Sequence, residues 1–154
     1  MKCFDRRGLE GLPLKLLVLL LLFSVSTPIV LESVQHHERI VQTEALRREC
    51  LDIRSAALSA FLSGPGNVRT VDVLIPRSGG SSFIEVGGDV ASPQARSIRY
   101  YVEGRLCGTI AMSEAAVILS SRSNEAVIIG MPGGHVTLSC VQTEDGLIVQ
   151  VEGG

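Results

Sequence analysis

Four cysteines, three histidines and one Arg-Arg-Gly step are the residues of this chain whose chemistry could carry a function. Cys3, Cys50, Cys107 and Cys140 include no C-x-x-C pair. Zinc sites and thioredoxin-like redox motifs need such pairs, so neither is indicated. His36 and His37 are adjacent, and adjacent side chains on a helix point about 100° apart, which keeps them from sharing one ion. His135 follows Pro132-Gly133-Gly134 with no acidic companion near it in sequence. No metal site is expected. No G-x-S-x-G elbow, P-loop or H-E-x-x-H segment occurs, so the residues indicate neither catalysis nor a cofactor. Gly79-Gly80 and Gly87-Gly88 read as tight turns, because no helix start follows either to complete a phosphate cradle. Neither Asn67 nor Asn124 opens an N-x-[ST] sequon. What remains is Arg6-Arg7-Gly8-Leu9, set directly before a leucine-rich stretch.

The element that would position this step is a hydrophobic span. Across residues 12–31 only Lys15 carries a charge, and about 20 apolar residues cross a bilayer as a helix. Lys15 lies near one end, where its stem can follow the helix while the ammonium reaches the headgroups. Lys2, Arg6 and Arg7 precede the span, and Glu32 and Glu38 follow it. The positive-inside rule then puts the short N-terminus in the cytoplasm and the rest of the chain outside. Length and charge alone require only a single-pass anchor in membrane lipid. A removable secretory signal would use Ser24 and Ser26 as the small residues before a cut. Pro28 sits close to that cut, and Asp5 and Glu10 dilute the basic region that such signals carry.

Arg6-Arg7-Gly8, then Leu9 and a leucine-rich helix, resembles the class III signal peptides of archaeal type IV pilins. The resemblance implies that a prepilin peptidase cuts between Gly8 and Leu9 on the cytoplasmic side, with Arg6 and Arg7 as recognition charges. Residues 1–8 would be the leader, and Glu10, Lys15 and Pro28 would stay on the assembly helix. Partners would be the peptidase and other pilin-like subunits, with an adhesive surface filament as the product. Many pilins carry Glu at the fifth mature position; this chain has Pro13 there and its nearest acid at Glu10. The alternative is a single-pass, externally displayed β-domain that binds a partner and never polymerises.

A second helix is expected directly after the span. Residues 31–62 contain no Pro and no Gly, and good helix formers dominate residues 44–49. Leu46, Cys50, Ile53, Ala57 and Phe61 follow a 4-3-4-4 spacing, which puts them on one face. Glu44 and Arg48 offer a favourable i,i+4 charge pair. Ser63-Gly64-Pro65-Gly66 stops the helix. Span and helix together, residues 9–62, would be one long spine, with Pro28 where the two adjoin removing a backbone hydrogen bond.

From residue 67 onward the pattern becomes strand-like. Alternating or continuous apolar runs lie at residues 71–75, 83–86, 98–102, 106–111, 115–119, 126–129, 136–141 and 147–151. Turns fall at Arg122-Ser123-Asn124, Pro132-Gly133-Gly134 and Glu144-Asp145-Gly146. The expected fold is α+β, a long N-terminal helix, transmembrane then amphipathic, packed on an antiparallel β-sheet head. A single sheet wrapped on the 46–61 face is the first expectation, and a self-contained β-sandwich the second. Cys107 and Cys140 both fall in predicted strands, and export permits oxidation. A disulfide between them is the expected pairing, with Cys50 able to replace either. With a net charge of −2 and no basic face in the second half, nucleic acid has no electrostatic support as a partner.

Overall fold

The computed structural model describes residues 7–77, 81–112, 117–144 and 146–153, with side chains from residue 13 onward. Helix α1 spans Arg7–Ser63 and stays helical through Pro13 and Pro28. Among the described residues eight strands follow: β1 (Val68–Leu74), β2 (Phe83–Val86), β3 (Ser97–Val102), β4 (Arg105–Ala111), β5 (Leu119–Ser120), β6 (Val127–Gly130), β7 (Gly133–Thr143) and β8 (Gly146–Gly153). The chain divides into two compact units, residues 1–40 and residues 41–154.

Within the second unit the strands form two four-stranded sheets, ordered β1-β7-β8-β5 and β4-β3-β2-β6. The single wrapped sheet is thus corrected to two, and the helix is built into their core rather than lying free beside them. Leu46, Cys50, Ile53 and Ala57 are all fully buried in one cluster with Val136, Leu138 and Val149 of one sheet and Ile84, Ile98 and Val102 of the other. The 4-3-4 spacing read from sequence is therefore the buried face, and Phe61 packs against its end. Glu49 adds a polar tie: its Oε2 accepts the Leu74 N–H on β1 at 3.3 Å. The β1–β7, β7–β8, β2–β3, β2–β6 and β3–β4 pairs are antiparallel, whereas β5 pairs with β8 in parallel.

The helix ends where a left-handed residue is needed. Gly64 takes φ +85° and donates to the Phe61 carbonyl at 3.1 Å, and a residue without Cβ adopts that conformation at no steric cost. The β3–β4 hairpin turns on Glu103 (φ 52°) and Gly104 (φ 73°). Two positive φ values match the twist of a two-residue hairpin loop, which explains why the turn sits at Gly104.

Other expected elements moved. The run at 115–119 is a strand only at Leu119–Ser120, and Ala115 lies outside the described residues. Gly133 and Gly134, read as turn, open β7 by pairing with Leu74 and Val73. The Glu44–Arg48 pair is replaced by Glu44–Arg47 at 3.6 Å, because i,i+3 neighbours are as close on a helix as i,i+4 ones. The Gly79-Gly80 turn lies outside the described residues.

Candidate functional site

Among the described residues, the first part of α1 carries a long run of exposed apolar side chains. Among the described residues it is the one helix long and apolar enough to cross a membrane. Leu14, Leu20, Phe23, Ile29 and Leu31 all expose more than half of their surface, and an aqueous surface made of such residues marks a membrane or protein contact. Two of its hydroxyls bond within the helix. Ser26 Oγ donates to the Leu22 carbonyl at 2.8 Å and Thr27 Oγ1 to the Phe23 carbonyl at 2.6 Å. Both therefore satisfy themselves inside the helix, as polar groups in hydrocarbon must. The same two residues lie in the turn before Pro28, whose ring nitrogen can offer no proton to the Ser24 carbonyl.

Of the residues expected at a processing step, Arg6 lies outside the described residues; for Arg7, Gly8 and Leu9, and for Glu10 after them, the backbone is described and is helical. The Gly8–Leu9 bond falls in the first turn of α1, where backbone N–H groups have no partner four residues earlier. Lys15 stands exposed, one turn into the apolar run.

The expected disulfide is not formed: Cys50, Cys107 and Cys140 are all free thiols. Cys107 and Cys140 lie on β4 and β7, strands of different sheets. The register between β3 and β4 also shifts at Tyr100/Tyr101, leaving Cys107 unpaired between Leu106 and Gly108. A bulge of this kind re-aims the side chain, and Cys107 is exposed while Cys50 and Cys140 are buried. Burial first, then the neighbouring Glu49 charge, pushes the Cys50 thiol from 9.0 to about 12. Burial also raises Cys140.

Two predictions follow from the thiols. In a Cys3→Ser background, iodoacetamide should label Cys107 in the native protein and reach Cys50 and Cys140 only after denaturation; mass spectrometry of labelled peptides reads this directly. The raised Cys50 value also sets a pH dependence. Between pH 9.0 and about 12 the unfolded thiol has lost its proton while the folded one keeps it, so stability must fall as pH rises through that window. Tyr100, also raised by burial, adds to the same decline. Urea midpoints measured from pH 8 to 11 should decline, and less steeply for Cys50→Ala.

Two polar arrangements were not read from the sequence. Asp72 stands directly opposite His135 in the β1–β7 register, and its carboxylate contacts Nδ1 of that ring. His135 thus has an acidic companion, supplied by strand pairing across 63 positions of chain. Both side chains are solvated, and among the described residues no third ligand joins them as a metal site. On the other sheet, Arg99 is almost fully buried. Its guanidinium reaches Glu85 Oε1 at 3.0 Å and donates to the Gly87 carbonyl at 2.9 Å. Tyr101 donates to Glu85 Oε2 at 3.0 Å, and its ring stacks on Phe83 with centroids 4.5 Å apart. The register Phe83↔Tyr101 and Glu85↔Arg99 makes these two adjacent cross-strand pairs on one face. Their alternation on β2 and β3 was visible in the sequence, but the pairing that joins them was not. The network locks β2 to β3 and presents no free nucleophile.

The class defined by these features is an α+β protein with two antiparallel-rich sheets, a helix shared with their core, and one N-terminal segment able to cross a membrane. No protein-family profile, curated protein or solved structure matches the chain.

Proposed function

We propose that this chain is a structural subunit of a type IV pilus-like surface filament, released from its leader by a prepilin peptidase and assembled through α1. The observation that carries the reading is the use of one helix for two purposes. Its first part is apolar and exposed, and its later turns supply Leu46, Cys50, Ile53 and Ala57 to the head's core. A removable signal would have no reason to share a helix with the core. A subunit held by that helix would have every reason to.

Pro13, where many pilins carry Glu, lies inside α1, and its missing N–H leaves the Leu9 carbonyl unpaired with or without residues 1–8. The positive leader, Lys2, Arg6 and Arg7, stays cytoplasmic in this scheme, and the head faces outward. Before assembly the 12–31 segment sits in lipid. Afterwards it packs on neighbouring copies, held by close packing because leaving lipid gains no hydrophobic energy.

Electron microscopy of intact and sheared cells tests the reading. The expected result is filaments carrying this chain, lost when residues 1–8 are fused to a β-domain without α1. Monomers after detergent extraction, with no filaments on the cells, would instead establish the non-polymerising anchored domain.

A further inference from the structure

Strand β1 stands at the edge of its sheet, with β7 as its one neighbour there among the described residues. Cys140 donates to the Asn67 carbonyl at 2.9 Å, and Ile75 donates to the Pro132 carbonyl at 3.3 Å. Both bonds join odd-numbered positions of the β1 register to β7. In an antiparallel ladder the alternate residues then face the other way, so Val68, Thr70, Asp72 and Leu74 turn their N–H and C=O groups to the open side. Leu74 is taken, its N–H held by Glu49 Oε2 at 3.3 Å. Val68, Thr70 and Asp72 are exposed. The other sheet ends are built differently. β4 carries a bulge, β5 is two residues long, and β6 lies so close to β8 that a Cβ on Gly153 would stand 3.0 Å from Val127 Cγ1. Bulges, short strands and cover keep an edge from pairing with another chain. β1 has none of these along its open positions and runs seven residues without proline or lysine.

We propose that the open edge of β1 pairs with β1 of a second copy, antiparallel, with Thr70 opposite the partner's Thr70. The contact uses the head alone and goes beyond the filament reading, so the two stand or fall separately. A two-fold contact sets even-numbered positions opposite even-numbered ones, so open groups meet open groups and the sheet faces match. Charge and Glu49 then select the register. Centring the pair on Arg69 would set Arg69 against the partner's Arg69, and centring it on Asp72 would set Asp72 against the partner's Asp72. Like charges directly opposite are destabilising. Centring on Val71 would pair Val68 with the partner's Leu74, whose N–H Glu49 already holds. Centring on Thr70 sets Val68 against the partner's Asp72 and Arg69 against the partner's Val71. It occupies all three open positions on each copy and leaves the Glu49 tie intact. Facing threonines add a favourable cross-strand pair, and the β1-β7-β8-β5 sheets of the two copies continue as one.

Disulfide trapping tests this with the full chain in detergent, in a Cys3→Ser, Cys107→Ser background. Oxidation with copper phenanthroline should convert most of a Thr70→Cys variant to dimers, because facing Cα atoms about 5.5 Å apart suit a disulfide. Ser123→Cys, at an exposed turn position, should give few and sets the level of chance collision. Val68→Cys and Asp72→Cys should each give few dimers alone and many when mixed. Thr70→Pro added to both members of that mixture should abolish trapping while the urea midpoint holds, since proline is tolerated where an edge N–H faces away from the sheet. Thr70→Cys dimers no more abundant than those of Ser123→Cys would overturn the proposal. Dimers from Val68→Cys alone would mean parallel pairing and overturn it too, and so would trapping that survives Thr70→Pro.

Discussion

Gly8→Asp should leave the precursor uncut while keeping it in the membrane, and the cells should lose their filaments. The apolar residues 12–31 are untouched by the change, so insertion proceeds as before. At the cut, a side chain and a negative charge now stand where the resemblance to class III signals implies a bare glycine, next to the recognition charges Arg6 and Arg7. Retention of the leader has a second consequence. Lys2, Arg6 and Arg7 would be carried to the end of an apolar helix that must pack on other helices, and cations are costly at such positions. The expected effect is close to all-or-none. Immunoblots should show one band at the precursor mass in the membrane fraction, and normal processing of this variant would remove Gly8 from the cut site.

The second large effect separates the two faces of α1 in the head. Ile53→Ala should destabilise the head by about 2–5 kcal/mol, the range for truncating a buried aliphatic side chain and leaving a cavity. Ile53 is fully buried, between Cys50 and Ala57 on the helix and strands of both sheets. Leu51→Ala, two positions away on a side chain that is 42% exposed, should change stability by about 0.5 kcal/mol or less. Urea denaturation followed by circular dichroism reads both. Equal losses would mean that the assigned core face is wrong.

That face was legible because helix periodicity survives any tertiary arrangement: Leu46, Cys50, Ile53 and Ala57 must align whatever they pack against. The Ser63-Gly64-Pro65-Gly66 stop was legible for a similar reason, since positive φ at Gly64 is a local demand. The division into two sheets was not legible, because alternation along a strand does not say which strands pair. The same ignorance of pairing hid Asp72 opposite His135 and Arg99 opposite Glu85. Cys107 was misread for another reason. Its place in a strand was right, but a bulge at Tyr100/Tyr101 leaves it unpaired and exposed on a different sheet from Cys140, so the expected disulfide does not form. The parallel β5–β8 pair was missed because β5 is two residues long, too short to show a period. Helix, strands and core were thus largely readable, whereas every cross-strand polar contact depended on the register.

The central claim concerns one peptide bond at the start of α1, and the intact mass of the exported protein tests it most directly. Cleavage between Gly8 and Leu9 predicts a mature chain that begins at Leu9 and retains the whole apolar helix. A chain beginning at Met1 would contradict the claim in favour of a permanent anchor, and one beginning at Thr27 would contradict it in favour of a discarded secretory signal.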